Sequence, residues 1–247
     1  MWSVSSQRRA PLLGAEICLF FLIPVSGGVL AARKMVERIE KRALGRPPKQ
    51  ENQRQRILDE AAKLIATVGY EQCSLGDIAK ILGLTRPAIY HYFSTKQEIF
   101  NKITLTITEE MYAHVSSRVD ESASYSQQLK DVMIAHAEYF DSSYWMNVAG
   151  STGYGGISRR ELTRLDEIED YRNKYEKLLS RIIRRGVQNG EFRKVNVKAT
   201  VRAVYQLLNI MRWYRPGGGK CAADIAAENY ELISGGLRAS APVSTEN

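Results

Sequence analysis

The run from Ser74 to Phe100, SLGDIAKILGLTRPAIYHYFSTKQEIF, constrains the fold more than any other stretch of the chain. It breaks into three short helical pieces separated by Gly83-Leu84 and by Ser94-Thr95. Leu75 to Leu82 supplies the first piece, with Ile78, Ala79 and Leu82 on the inward side. Gly83 permits the left-handed backbone of a tight turn, and Leu84 plugs the angle. Thr85 is a good N-cap for the second piece. Pro87 falls in its first turn, where a missing N–H costs nothing because that group would be unpaired anyway. A short helix, a tight turn and a second helix with a free outer face together predict a helix-turn-helix.

The spacing assigns each side of that second helix. Ile89, Tyr92 and Phe93 share the inner side, whereas Arg86 with Tyr90 and Pro87 with His91 form i, i+4 pairs on the other. Those outer side chains suit a DNA groove. Arg86 can fork onto guanine O6 and N7, Pro87 can pack on a thymine methyl, and Tyr90 and His91 can reach phosphate or base edges. Thr95 caps the next helix, whose first N–H groups, together with Lys96, can hold a backbone phosphate.

The segment GYEQCSLGDIAKILGLTRPAIYHYFSTKQEIF resembles the DNA-binding signature of the tetracycline-repressor (TetR) family. The resemblance covers about Gln53 to Phe100, with Gly69-Tyr70, Asp77-Ile78-Ala79, Gly83, Tyr90, Phe93, Lys96 and Phe100 on family positions. It implies that Tyr90 and Lys96 bind phosphate, that Ser74 helps at the start of the first motif helix, and that Arg86 to His91 read sequence. Two residues depart from the pattern: Cys73 stands where threonine is usual, and Tyr92 where histidine often precedes the phenylalanine.

Around this unit the chain reads as all-α. An N-terminal three-helix DNA-binding domain at 50–95 is followed at 96–247 by a larger helical domain for effector binding and dimerisation. Ile57, Leu58, Ala61, Leu64, Ile65 and Val68 lie at helical spacing ahead of Gly69. Beyond Lys96, Ile99, Ile103, Ile107 and Met111 recur every fourth residue. Further helices are expected at about Gln127 to Tyr144, Arg160 to Gln188, Val197 to Tyr214 and Ala222 to Leu237, with AGSTGYGG read as a mobile loop.

Residues 1–49 form an N-terminal extension ending in a basic arm. Of the chain's formal charge of +8, this extension carries nine Lys/Arg against three Asp/Glu. A local excess of that kind suits a polyanionic partner. Arg46 and Lys49, in GRPPK, can reach DNA, with Arg46 extended along a minor groove or the whole arm adding affinity through counterion release alone. The apolar stretch from Leu12 to Ala32 after Arg8-Arg9 looks like a secretory signal, yet Glu16 and Pro24 interrupt it, and Met35 opens a basic helical segment. A start at Met35 keeps the protein in the cytoplasm with its DNA. If the stretch is genuine, the alternative is a membrane-tethered or exported helical interaction protein.

In the C-terminal half, AVYQLLNIMRWY is apolar on more than one face, and Ile225, Leu232, Ile233 and Leu237 continue the pattern. A homodimer through a four-helix bundle is the economical reading. Tyr139, Tyr144, Trp145, Tyr171, Tyr175 and Trp213 suit the walls of an effector pocket and equally suit plain core. Arg181, Arg184 and Arg185 suit a solvated face or a phosphate-bearing ligand. The segment MRWYRPGG resembles a stretch of TetR-family repressors that respond to coenzyme A thioesters, which implies an acyl-CoA effector. The sequence shows no phosphate-cradling glycine loop, no HExxH and no GxSxG, so no catalytic residue, cofactor or metal is expected. Cys18, Cys73 and Cys221 are too scattered for zinc or a disulfide framework. His114 and His136 are read as structural.

Overall fold

The computed structural model describes residues 50–152, 165–209 and 214–238. Within them the chain forms α1 (Gln50–Val68), α2 (Leu75–Ile81), α3 (Arg86–Tyr92), α4 (Lys96–Arg118), α5 (Tyr125–Ser142), α6 (Tyr144–Thr152), α7 (Leu165–Gln188), α8 (Val197–Leu208) and α9 (Ala222–Leu237). Among the described residues the only β-type pairing is an isolated antiparallel bridge between Phe192 and Arg238.

Local chemistry sets the boundaries of these helices. Gly69, at φ 90°, ends α1. Ser74 and Asp77 form a reciprocal capping box at α2: Asp77 N donates to Ser74 Oγ at 3.2 Å, and Ser74 N donates to Asp77 Oδ2 at 3.1 Å. Thr85, Thr95, Ser124 and Asn196 likewise accept from the backbone at the starts of α3, α4, α5 and α8.

Two cores follow from the packing. The first joins α1, α2, α3 and the start of α4 around Ile57, Ile65, Ile78, Ile89, Phe93, Ile99 and Phe100. The second, built on α4, α5, α7, α8 and α9, includes Met111, Val115, Leu129, Met133, Leu179, Ile182, Val204 and Tyr230. Helix α4 is common to both, so the N-terminal unit and the larger domain share one continuous rod.

The expected boundaries need three corrections. The helix expected at about Gln127 to Tyr144 is α5, which ends at Ser142. Ser143, at φ −114° and ψ 31°, leaves helical geometry while its N–H still bonds Tyr139 O, and Tyr144 begins α6. Part of the expected mobile loop is therefore helix: Ala149 to Thr152 complete α6, and residues 153–164 lie outside the described residues. Helix α8 stops at Leu208, because Asn209 turns away at ψ 69°, rather than continuing to Tyr214.

Helix α6 packs against α1 and α4, and its Ala149 belongs to the first core. Helix α8 buries Val201, Val204 and Leu208, and its opposite side exposes Lys198, Arg202 and Gln206 among alanines. On α9, Leu232 is 73% exposed, and residues 210–213 of the expected two-sided apolar stretch lie outside the described residues.

Candidate nucleic-acid interface and effector domain

The turn between α2 and α3 is closed by backbone bonds that require glycine. Gly83 sits at φ 66°, its N–H donates to Lys80 O at 3.2 Å, and Leu84 N donates to Ala79 O at 2.8 Å. This pair of bonds is a Schellman closure, which pairs carbonyls that the helix end leaves open. Leu84 then packs on the first core.

Helix α3 is anchored from behind. Ile89 is fully buried, Phe93 is 1% exposed and Tyr92 packs on the same core. Arg86, Pro87, Tyr90 and His91 are all exposed, with Tyr90 at 55%. A seven-residue helix therefore offers one polar and aromatic face outward while its back is fixed, the geometry that a groove-reading helix requires. The guanidinium of Arg86 rests against Gly76, where an added β-carbon would lie 3.6 Å from both Nε and Nη2.

The remaining candidates are engaged within the unit. Thr85 Oγ1 accepts from Ala88 N at 3.3 Å, and Thr95 Oγ1 accepts from Glu98 N at 3.0 Å. Ser74 Oγ lies 2.5 Å from Asp77 Oδ2, so its hydroxyl proton is directed at that carboxylate. Lys96 turns inward: its Nζ donates to Tyr70 O at 2.7 Å and Glu71 O at 3.4 Å, and lies 4.2 Å from the Tyr70 ring centroid. In this geometry the ammonium clamps the turn between α1 and α2 onto the start of α4. Cys73 is buried, and desolvation pushes its thiol up to about 12, so it stays protonated. Arg46 and Lys49 lie outside the described residues.

Sequence reasoning missed a brace behind α3. Arg54 of α1 lies 4.4 Å over the Phe93 ring and pairs with Glu98 at 3.3 Å, while Glu98 Oε2 accepts from Ser94 N at 2.9 Å. One carboxylate thereby ties α1 to the joint between α3 and α4. No local pattern signals this contact, because its partners are far apart in sequence.

The six residues offered for an effector pocket fall into different settings. Tyr139 and Tyr175 are buried in the second core, whereas Tyr144 packs edge-on against Phe140 and Tyr214 in a third cluster with α9. Tyr139 Oη donates to Glu110 at 3.0 Å, and Tyr171 Oη donates to Glu109 at 2.8 Å. Burial raises the Tyr139 phenol, so it remains a donor. Trp145 is 36% exposed, and Trp213 lies outside the described residues. Phe140 and Tyr214 complete the third cluster, and the Tyr214 hydroxyl bonds Asp141 at 2.5 Å. Arg181 pairs with Glu121 at 2.5 Å, while Arg184 and Arg185 are exposed. Asn173, Glu176, Lys177, Ser180, Arg181 and Arg184 share one outward side of α7.

Comparison with known proteins agrees with this architecture. Residues 57–103 match the model for bacterial regulatory proteins of the tetR family, and residues 122–237 match a tetracyclin repressor-like C-terminal domain. The HTH-type transcriptional repressor KstR2 of Mycobacterium tuberculosis is 23% identical over 188 residues, covering 75% of this chain and 93% of the relative. The solved TetR family transcriptional regulator PfmR from Thermus thermophilus is 37% identical, with a TM-score of 0.66 over 72% of this chain and 96% of its own. FadR from Bacillus subtilis, solved in complex with stearoyl-CoA, shares the fold at 19% identity, with a TM-score of 0.61 over 74% of this chain and 99% of its own. With both halves matched, this chain belongs to the tetR family of bacterial transcriptional regulators.

Proposed function

We propose that this regulator works as a homodimeric repressor that holds a roughly palindromic operator and leaves it when an acyl-CoA enters the C-terminal domain. The single observation that carries the DNA half is α3, with Ile89 and Phe93 buried behind and Arg86, Pro87, Tyr90 and His91 exposed in front. In this reading Arg86 and Pro87 contact bases and Tyr90 and His91 contact base edges or phosphate. Thr85, Thr95 and Ser74 line the approach of the backbone, Lys96 holds the turn between α1 and α2 against the start of α4, and Arg46 and Lys49 add the basic arm. Two copies of α3 on one face of a duplex imply two half-sites about one helical turn apart.

The effector half rests on the MRWYRPGG resemblance and on the stearoyl-CoA bound by the FadR neighbour. Release follows from the shared rod. Helix α4 begins in the first core and ends in the second, and α6 packs on both α1 and α4. A ligand that spreads the second core therefore tilts α4 and changes the separation of the two reading helices.

A gel shift on the DNA upstream of the protein's own gene, titrated with a panel of CoA thioesters, tests both halves. Specific retardation that Arg86→Ala with Tyr90→Phe abolishes, and that a thioester reverses, is the expected result. Retained sequence-specific binding by that double variant would refute the assignment of the reading face.

A further inference from the structure

Helix α3 has seven residues, and Phe93, Ser94 and Thr95 join it to α4. A helix this short holds its direction through what packs on it rather than through its own hydrogen bonds. Ile89 and Phe93 bury its back, but apolar burial is non-directional and sets depth more firmly than angle. Polar contacts at the joint supply the direction.

Two residues make those contacts. Phe93 leaves helical geometry at φ −144° and ψ 122°, and Thr95 is likewise extended at φ −143° and ψ 156°. Between them Ser94 N donates to Glu98 Oε2 at 2.9 Å, so a side chain of α4 holds the amide of the joint. The other carboxylate oxygen, Oε1, accepts from Arg54 Nη2 at 3.3 Å, while the centre of the Arg54 guanidinium lies 4.4 Å from the Phe93 ring centroid. One planar cation on α1 therefore touches the last anchor of α3 and the first turn of α4 together, through a ring face and a carboxylate. The Arg54 and Glu98 side chains are 51% and 42% exposed, and a pair so placed adds little to global stability. Its consequence lies in the angle it sets.

We propose that Arg54 is a positioning residue for operator recognition, fixing α3 on α4 through Phe93 and Glu98 without contacting DNA itself. The inference rests on the reading of α3 given above. Base edges are recognised only when Arg86 and its neighbours arrive in register, whereas attraction to phosphate tolerates a small rotation. Loosening the brace removes discrimination between sequences and leaves general affinity for duplex DNA in place.

The test uses the full chain, a duplex selected by wild type from a random pool, and a scrambled duplex of the same length and composition. Anisotropy titrations over a salt series give the affinity for each. Arg54→Met keeps an unbranched stem and loses the cation. It should lower the ratio of specific to scrambled binding by about tenfold, the worth of one base contact, with scrambled affinity within about twofold of wild type and the salt slope unchanged. Arg54→Lys, which keeps a charge for the ring and the carboxylate, should recover part of the ratio. Glu98→Gln should lower the ratio as well, and combining it with Arg54→Met should cost little more, because both act through one joint. Since Glu98→Gln retains an acceptor for Ser94 N, it supplies an independent reading if Arg54→Met folds poorly. Equal weakening on the two duplexes would overturn the proposal. So would a salt slope smaller by about one unit in Arg54→Met, which would put the guanidinium on a phosphate. A wild-type chain that selects no sequence from the pool would overturn the reading of α3, and this proposal with it.

Discussion

Replacing Gly150 with alanine should destabilise the protein through a single atom of a neighbouring helix, and removing that atom should undo the effect. Gly150 lies on α6 where a β-carbon would come 2.4 Å from Ile107 Cδ1 of α4, with Ile107 Cγ1 at 3.6 Å and Thr104 Oγ1 at 3.9 Å, both ordinary contacts. Ile107 is 9% exposed, so Cδ1 can move only into neighbouring packing. Overpacking of this kind costs about 1–3 kcal/mol. Alanine returns at most ~1 kcal/mol in helix propensity, leaving a net loss of roughly 0–2 kcal/mol. Ile107→Val deletes Cδ1 and alone costs about 0.5–1.5 kcal/mol. In the double variant the clash is gone, so its stability should lie within about 1 kcal/mol of wild type, with a favourable coupling of at least ~1 kcal/mol. Urea unfolding of the four proteins at one fixed concentration measures the cycle. Additivity within about 0.5 kcal/mol would refute the claim that this atom sets the approach of α6 to α4. The same contact lies on the proposed route from effector to DNA, so Gly150→Ala should also shift the effector concentration that releases operator.

Four further outcomes follow from the geometry. Gly83→Ala meets no atom within 4 Å but must hold φ 66°, so it should cost about 1–2 kcal/mol by thermal unfolding from backbone strain alone; an unchanged Tm would mean the turn does not need this conformation. Arg86→Ala, at an exposed position, should weaken operator binding by about 1–3 kcal/mol in a gel shift while leaving urea stability unaltered; loss of stability of the same size would make Arg86 a structural residue. Lys96→Met should lower the unfolding midpoint by removing the clamp on Tyr70 and Glu71, with the salt slope of DNA binding unchanged; a slope smaller by about one unit would instead place the ammonium on a phosphate. The folded-state pKa of His136, about 4, lies below its ordinary 6.5, so the unfolded chain binds the extra proton between these values. Its contribution is therefore complete above pH 6.5 and is lost as pH falls toward 4, by up to ~3 kcal/mol. The difference between wild-type and His136→Phe stability profiles isolates this effect, and a flat difference would show that the ring is not desolvated.

Much of the DNA-proximal unit was legible because its signals are local. Ser74, Thr85 and Thr95 cap the helices they precede, Gly69 and Gly83 take positive φ, and Arg86, Pro87, Tyr90 and His91 face away from Ile89 and Phe93. Each of these follows from propensity, turn chemistry or helical period within a few residues, and physics at that range is written directly into the order of side chains. The packing between helices is not. The break at Ser143, the lodging of α6 against α4 at Gly150, the Arg54–Glu98 brace and the inward turn of Lys96 all join residues distant in sequence. The same holds for the pocket. Tyr144 and Tyr175 read alike as aromatic residues on helices, and only the assembled domain sends one to the α9 cluster and the other to a hydrogen bond with His136. Sequence alone determined which surfaces this chain can make; tertiary structure decided which of them meet, because a contact between helices depends on the positions of both backbones, and no single segment encodes its neighbour's.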